Sequence, residues 1–355
     1  MEASLNIFID KLLTTAAKRQ ASHIHLSASS YPTLRINDEL VELTDEKIIT
    51  ADFIKEIALA WLNDSQKQVL ERDKSIILAQ VVAKKFRVKI NFFFQKGFLS
   101  ATLRIIPEKI PPLINLGLPK SIYELVDKKS GLIVIAGPYG SGKTTTMVSM
   151  IDQINRTRKE NIMTIEKPIE YLFVSQQSLI EQREVGRDAN SFASALRYAQ
   201  QSDVDIVAME VLEDEALPLI LQFANSGRLA LVNMPTTSSV QTIEYILSAF
   251  PADDKQRAQL LLSESLVAIV VQRLVPRKGG GLVLATEVLF ANEAVRSLIR
   301  EGRVKQITTI LQSSRAEGMQ SLDQSLAELV KADEVLLDNA LQFTADAKGL
   351  RAMSR

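Results

Sequence analysis

The stretch GLIVIAGPYGSGKTTTMVSMIDQI (131–154) restricts the fold more than any other part of the chain. It opens with an uninterrupted apolar run, which suits a strand covered on both faces of a parallel sheet. The pattern G-x-x-x-x-G-K-T follows, and then residues at helical spacing. Gly137, Gly140 and Gly142 let the backbone curl so that successive N–H groups point inward at phosphate oxygens. Pro138, Tyr139, Ser141 and Thr145 complete the loop and the entry to the helix, whose positive end favours an anion. Lys143 brings a cation to the β- and γ-phosphates, and the Thr144 hydroxyl suits Mg²⁺. Residues 137 to 145 are therefore the candidate nucleotide site, with ATP and Mg²⁺ as ligands.

The rest of the chain fits an α/β protein. NIMTIEK (161–167), DIVAME (205–210) and RLALVNM (228–234) are further short apolar runs separated by helix-length segments, as in a parallel sheet. Before them, SIILAQVVAKKFRVKINFFFQ (75–95) and SATLRIIP (100–107) are rich in β-branched and aromatic residues, which predicts antiparallel strands in a small α+β domain. PEKIPPLINLGLPK (107–120) has four prolines and no regular period, and reads as a linker. The expected organisation is an N-terminal domain over 1–106, the linker, an ATPase core over 121–290 and a helical segment over 291–355.

Composition excludes several classes. Lysine plus arginine and aspartate plus glutamate both number 42, so net charge gives no reason to expect nucleic acid as a partner. The absence of cysteine removes disulfides and thiolate metal sites together. No apolar run reaches the roughly 20 residues that span a bilayer. The opening MEASLNIFIDKLLTTAAK has Leu5, Phe8, Ile9, Leu12 and Leu13 at helical spacing and predicts an amphipathic helix, not a signal peptide. A cytoplasmic protein without membrane insertion is expected. His23 and His25 are the only histidines, and with no third ligand in sight they read as packing or surface residues.

Several stretches besides the phosphate loop carry a family resemblance. They are ASHIHLSA (21–28), FRVKINFF (86–93), TIEKPIEY (164–171), QREVGRDANSFASALR (182–197), FPADDKQRAQLLLSESL (250–266) and AVRSLIRE (294–301). In this order they resemble the secretion and type IV pilus ATPases, in the PilT-type retraction branch that powers twitching motility. The resemblance implies a RecA-like P-loop domain preceded by a PAS-like domain. It also implies a homo-hexamer working with a pilus platform protein at the cytoplasmic face of the inner membrane, and with other retraction ATPase subunits. Glu210 stands at the position of the family's catalytic glutamate, and Lys143 completes the catalytic pair. Glu166 stands where an acid assists Mg²⁺, and Arg87 and Arg104 match arginines that approach nucleotide at the subunit boundary.

The chain departs from the family pattern at five points. Lys167 replaces an acid, Met209 a glycine and Leu212 an arginine, while Arg228 and Pro235 replace two histidines. Asn233, just before Pro235, offers a substitute hydrogen bond. Two readings stay open: a motor that hydrolyses ATP to disassemble a pilus, with turnover weakened, or an accessory subunit that binds nucleotide and turns over little or none.

Overall fold

The computed structural model describes residues 2–37 and 39–354. They fall into two compact units. One takes in residues up to Lys109 together with Lys167–Leu172; the other comprises Ile110–Glu166 and the chain from Phe173 on.

The first unit is built on a six-stranded antiparallel sheet. Its elements are α1 (Glu2–Lys18), β1 (His23–Leu26), β2 (Thr33–Ile36), β3 (Glu39–Glu42), α2 (Ala51–Trp61), α3 (Asp64–Asp73), β4 (Ser75–Val82), β5 (Phe86–Gln95) and β6 (Phe98–Ile106), with strand order β3-β2-β1-β6-β5-β4. Leu12 and Leu13 of α1, and Ile54 and Ile57 of α2, recur at helical spacing and bury against one sheet face. That face is supplied by alternate strand residues, Val88, Ile90 and Phe92 on β5 among them.

The intervening residues put cations on the opposite face. Lys89 pairs in register with Arg104, and Arg87 lies two residues before Lys89. Like charges directly opposite one another destabilise a sheet. Here the segment Lys167–Leu172 supplies the compensation: the buried Glu170 accepts from Lys89 Nζ at 2.8 Å and Arg104 Nη1 at 3.3 Å. Arg87 donates through Nε to the Glu170 carbonyl and through Nη2 to the Ile169 carbonyl, the latter at 2.7 Å. Glu170→Ala would strand these cations, which keep partial access to solvent. A loss of about 1–3 kcal/mol is expected in the urea unfolding of this unit, and an unchanged midpoint would contradict it.

His23 and His25 share this basic face on β1, their rings stacked at 6.0 Å. Burial, and then Arg104 and His25, push the His23 pKa down to about 4. The folded ring therefore stays neutral while the unfolded chain takes up a proton near 6.5. Stability held above pH 6.5 drains away as pH falls towards 4. Wild type should lose more stability than His23→Gln between pH 7.5 and 4.5, and equal losses in denaturant titrations would refute this. Among the described residues no cluster of three potential ligands could hold a metal.

The second unit begins with a segment expected to be a linker, but its end is packed. Leu113 and Leu118 are buried, and the Ser149 hydroxyl donates to the Pro111 carbonyl at 2.7 Å. After the short α4 (Lys120–Tyr123) come β7 (Gly131–Ala136), α5 (Lys143–Thr157), β8 (Asn161–Glu166), β9 (Leu179–Glu184), α6 (Phe192–Gln201), β10 (Ile206–Glu210) and α7 (Ala216–Asn225). They are followed by β11 (Leu229–Met234), α8 (Ser239–Ser248), α9 (Lys255–Ser265), β12 (Leu266–Pro276) and β13 (Leu282–Phe290). The remainder is helical: α10 (Glu293–Arg300), α11 (Ile307–Ser313), α12 (Leu322–Lys331), α13 (Leu337–Ala340) and α14 (Ala347–Met353).

The strand order is β13-β12-β7-β11-β10-β8-β9, parallel throughout except for the antiparallel edge strand β13. Every residue of β7 is buried, as its unbroken apolar run requires. On one face Ile133, Ile135, Leu229 and Leu231 pack against Met147, Met150 and Ile151 of α5. On the other, Val134, Val207, Met209 and Val232 pack with α6 and α7 side chains such as Phe192 and Leu221. Residues 167–172, expected inside the continuous core over 121–290, are the exception, since they leave β8 and join the first unit. Among the described residues no helix is long and apolar enough to cross a membrane.

Candidate functional site

In a parallel sheet flanked by helices, chemistry gathers at the carboxyl ends of the strands, where helix N-termini also point. Here the loop from Gly137 to Gly142 leaves β7 at that edge and enters α5. Gly137 has φ +148°, and a Cβ there would lie 2.6 Å from the Gln272 carbonyl oxygen, so the position admits only glycine. Gly140 and Gly142 also have positive φ, +77° and +91°. Pro138, Thr144 and Thr145 are half-buried, and Tyr139 stands outward at the bend, 81% exposed.

Lys143 folds back over the loop. Its ammonium donates to the carbonyls of Gly137 and Pro138, both at 2.9 Å. Burial pushes its pKa down, and the Glu210 carboxylate opposes that shift, so the two charges feel each other. The Ser141 hydroxyl is buried inside the loop with no hydrogen-bond partner among the described residues. An orphaned polar atom in a cradle of N–H groups fits a polar ligand, such as phosphate oxygen.

Strand alternation arranges the rest. Ile206 and Ala208 face α5, so Glu210 does too; Leu229 and Leu231 likewise set the side of Asn233, and Ala268 and Val270 that of Gln272. Ile162 does the same for Thr164 and Glu166. One polar row thus crosses the carboxyl edge on the α5 side, from Gln272 through Asn233 and Glu210 to Glu166. The Gln272 amide donates to Thr146 Oγ1 of α5 at 2.7 Å. Glu166 accepts from the Thr164 hydroxyl at 2.6 Å and from Gln182 Nε2 at 3.2 Å. Gln272 was not anticipated from sequence; its signal is a lone amide within LVAIVVQRLV, a run otherwise apolar up to that point.

Two of the five departures lie outside this row. Met209 is fully buried on the sheet face opposite Glu210, among α6 and α7 side chains, so its bulk does not enter the row. Arg228 precedes β11 at the amino end of the sheet. There its carbonyl accepts from Gly131 N, and its guanidinium donates to the Ala199 carbonyl at 2.8 Å. Leu212, Pro235 and Lys167 are exposed, the first two just beyond β10 and β11 and Lys167 directly after β8. Arg87 and Arg104 belong to the first unit, where they hold Ile169 and Glu170.

Residues 1–281 match the family described as type II/IV secretion system protein. The chain belongs to this family. Among secretion system proteins, it is 35% identical over 337 residues to the type IV pilus retractation ATPase PilT of Pseudomonas aeruginosa, covering 94% of this chain and 96% of that one. It is 34% identical to a twitching motility protein of Neisseria gonorrhoeae, covering 90% and 86%. A crystal structure of the pilus retraction motor PilT with bound ADP superposes with a TM-score of 0.85 at 37% identity, covering 96% of this chain and 98% of that one. This secretion-family chain is of PilT type.

Proposed function

We propose that this chain is a motor subunit that hydrolyses ATP to retract a type IV pilus. It works as a ring of six copies, cytoplasmic, docked on a platform protein at the inner membrane. The observation that carries this reading is the placement of Lys143 and Glu210 at one sheet edge, where the carboxylate opposes the fall in the lysine's pKa, in a chain similar to PilT along nearly its whole length.

The roles follow from the positions. The backbone N–H groups of the loop from Tyr139 on and of the first turn of α5, together with the Lys143 ammonium, grip the phosphates, and Glu210 takes a proton from the attacking water. A Mg²⁺ ion brought in with ATP needs only one or two protein oxygens beside phosphate and water. The Thr144 hydroxyl in the first turn of α5 and the Glu166 carboxylate in the polar row match that demand. When bound, the ion neutralises charge on the β- and γ-phosphates. Arg87 and Arg104 hold residues 169 and 170, so we assign them to the Glu170 clasp in this state.

One observation favours a second reading, a nucleotide-holding accessory subunit: Pro235, directly after β11, is a donorless ring at the end of the strand that carries Asn233, and a cation, Lys167, follows Glu166 in sequence. Phosphate release by the purified protein separates the two. Turnover in Mg-ATP with loss of twitching on gene deletion supports the motor. ATP binding without turnover supports the accessory subunit.

A further inference from the structure

Asn233 is the one side chain of the polar row whose presence the fold itself does not account for. It is 1% exposed at the end of LALVNM, a strand that valine or isoleucine would complete without penalty. Its Oδ1 is buried and has no hydrogen-bond partner among the described residues. The main chain around it is satisfied independently, since the Asn233 carbonyl accepts from Val211 N at 2.9 Å. A buried acceptor left unmet opposes folding.

Its neighbour gives it a use. Register pairs Asn233 directly with Glu210 on the adjoining parallel strand, both on the α5 side, and adjacent strands lie about 5 Å apart. A carboxylate and a carboxamide oxygen are both acceptors and cannot bond each other. A molecule carrying two O–H donors satisfies both at once. We propose that Asn233 and Glu210 together hold the attacking water, with Asn233 Oδ1 accepting its second hydrogen. One O–H then points at Glu210 and the other at Asn233, which leaves a lone pair for the γ-phosphorus held by Lys143. As the water oxygen bonds to phosphorus, Glu210 takes the proton. The bond from phosphorus to the β,γ-bridging oxygen breaks, and ADP leaves with the electron pair. Asn233 gains and loses nothing; it orients the water.

This inference rests on the hydrolysis reading, and the test separates the two. Phosphate release is measured with Mg-ATP for wild type, Glu210→Gln, Asn233→Val and Asn233→Thr, together with ATP binding and thermal unfolding. Asn233→Val should lower kcat by about 10²-fold, the scale of a misplaced reactant, while KM changes less than about twofold. Its melting temperature should stay level or rise, because an unmet buried acceptor has gone. Asn233→Thr, which returns an acceptor hydroxyl, should turn over faster than Asn233→Val. Wild-type turnover in Asn233→Val, an effect on KM alone, or a threonine variant no faster than valine would overturn the inference. If no protein in the series, wild type included, released phosphate, the hydrolysis reading itself would fall; if only Glu210→Gln were slow, the role of Asn233 alone would.

Discussion

Glu210→Gln is expected to lower steady-state phosphate release by about 10²–10⁴-fold while nucleotide binding stays intact, the range associated with a general base. The substitution keeps the size of the side chain but replaces one acceptor oxygen by a donor and removes its ability to take a proton. Glu210 is the last residue of β10 and only half-buried, so the change adds no cavity to the core. Lys143 also loses the carboxylate that opposes its pKa depression. It remains hydrogen-bonded to two carbonyls, which is why the phosphate grip survives. Single-turnover phosphate release measured beside equilibrium ATP binding checks the split. Loss of binding and turnover together would place Glu210 in the grip and not in the chemistry.

Lys143→Ala is expected to act earlier in the cycle. It removes the buried cation facing the phosphates and, in the same step, the two 2.9 Å bonds that tie the loop to itself. Hydrogen bonds to charged groups contribute roughly 1.5–3 kcal/mol each, so ATP affinity should fall by about 10²-fold or more. Turnover should vanish with it. The fold should persist, because Lys143 contributes no apolar surface to the clusters around β7. Titration with a fluorescent ATP analogue and a melting curve check both points. Unchanged affinity would mean that the loop holds phosphate through its N–H groups alone.

The parts of this molecule legible in the sequence are those with a local pattern. GLIVIA reads as a buried parallel strand because no residue in it tolerates water. The loop reads as a phosphate site because spacing alone brings its glycines and Lys143 together. What a linear motif does not convey is which face or edge a residue occupies. Met209 sits beside Glu210 in sequence, yet alternation turns it to the opposite face. Arg228 and Asn233 share one strand run, yet lie at opposite ends of the sheet. Arg87 and Arg104 lie 83 and 66 positions before Glu170, so nothing local predicted that residues following β8 would neutralise a basic sheet face. Gln272 was hidden by the apolar residues around it, although a lone amide near the end of a buried strand run is itself a signal.

Steady-state phosphate release by the purified protein in Mg-ATP separates wild type from Glu210→Gln. Turnover in the wild type is expected to stand at least about 10²-fold above that of the variant. Equal rates would contradict it: both at background would leave a protein that grips ATP without spending it, and both high would remove Glu210 from the chemistry.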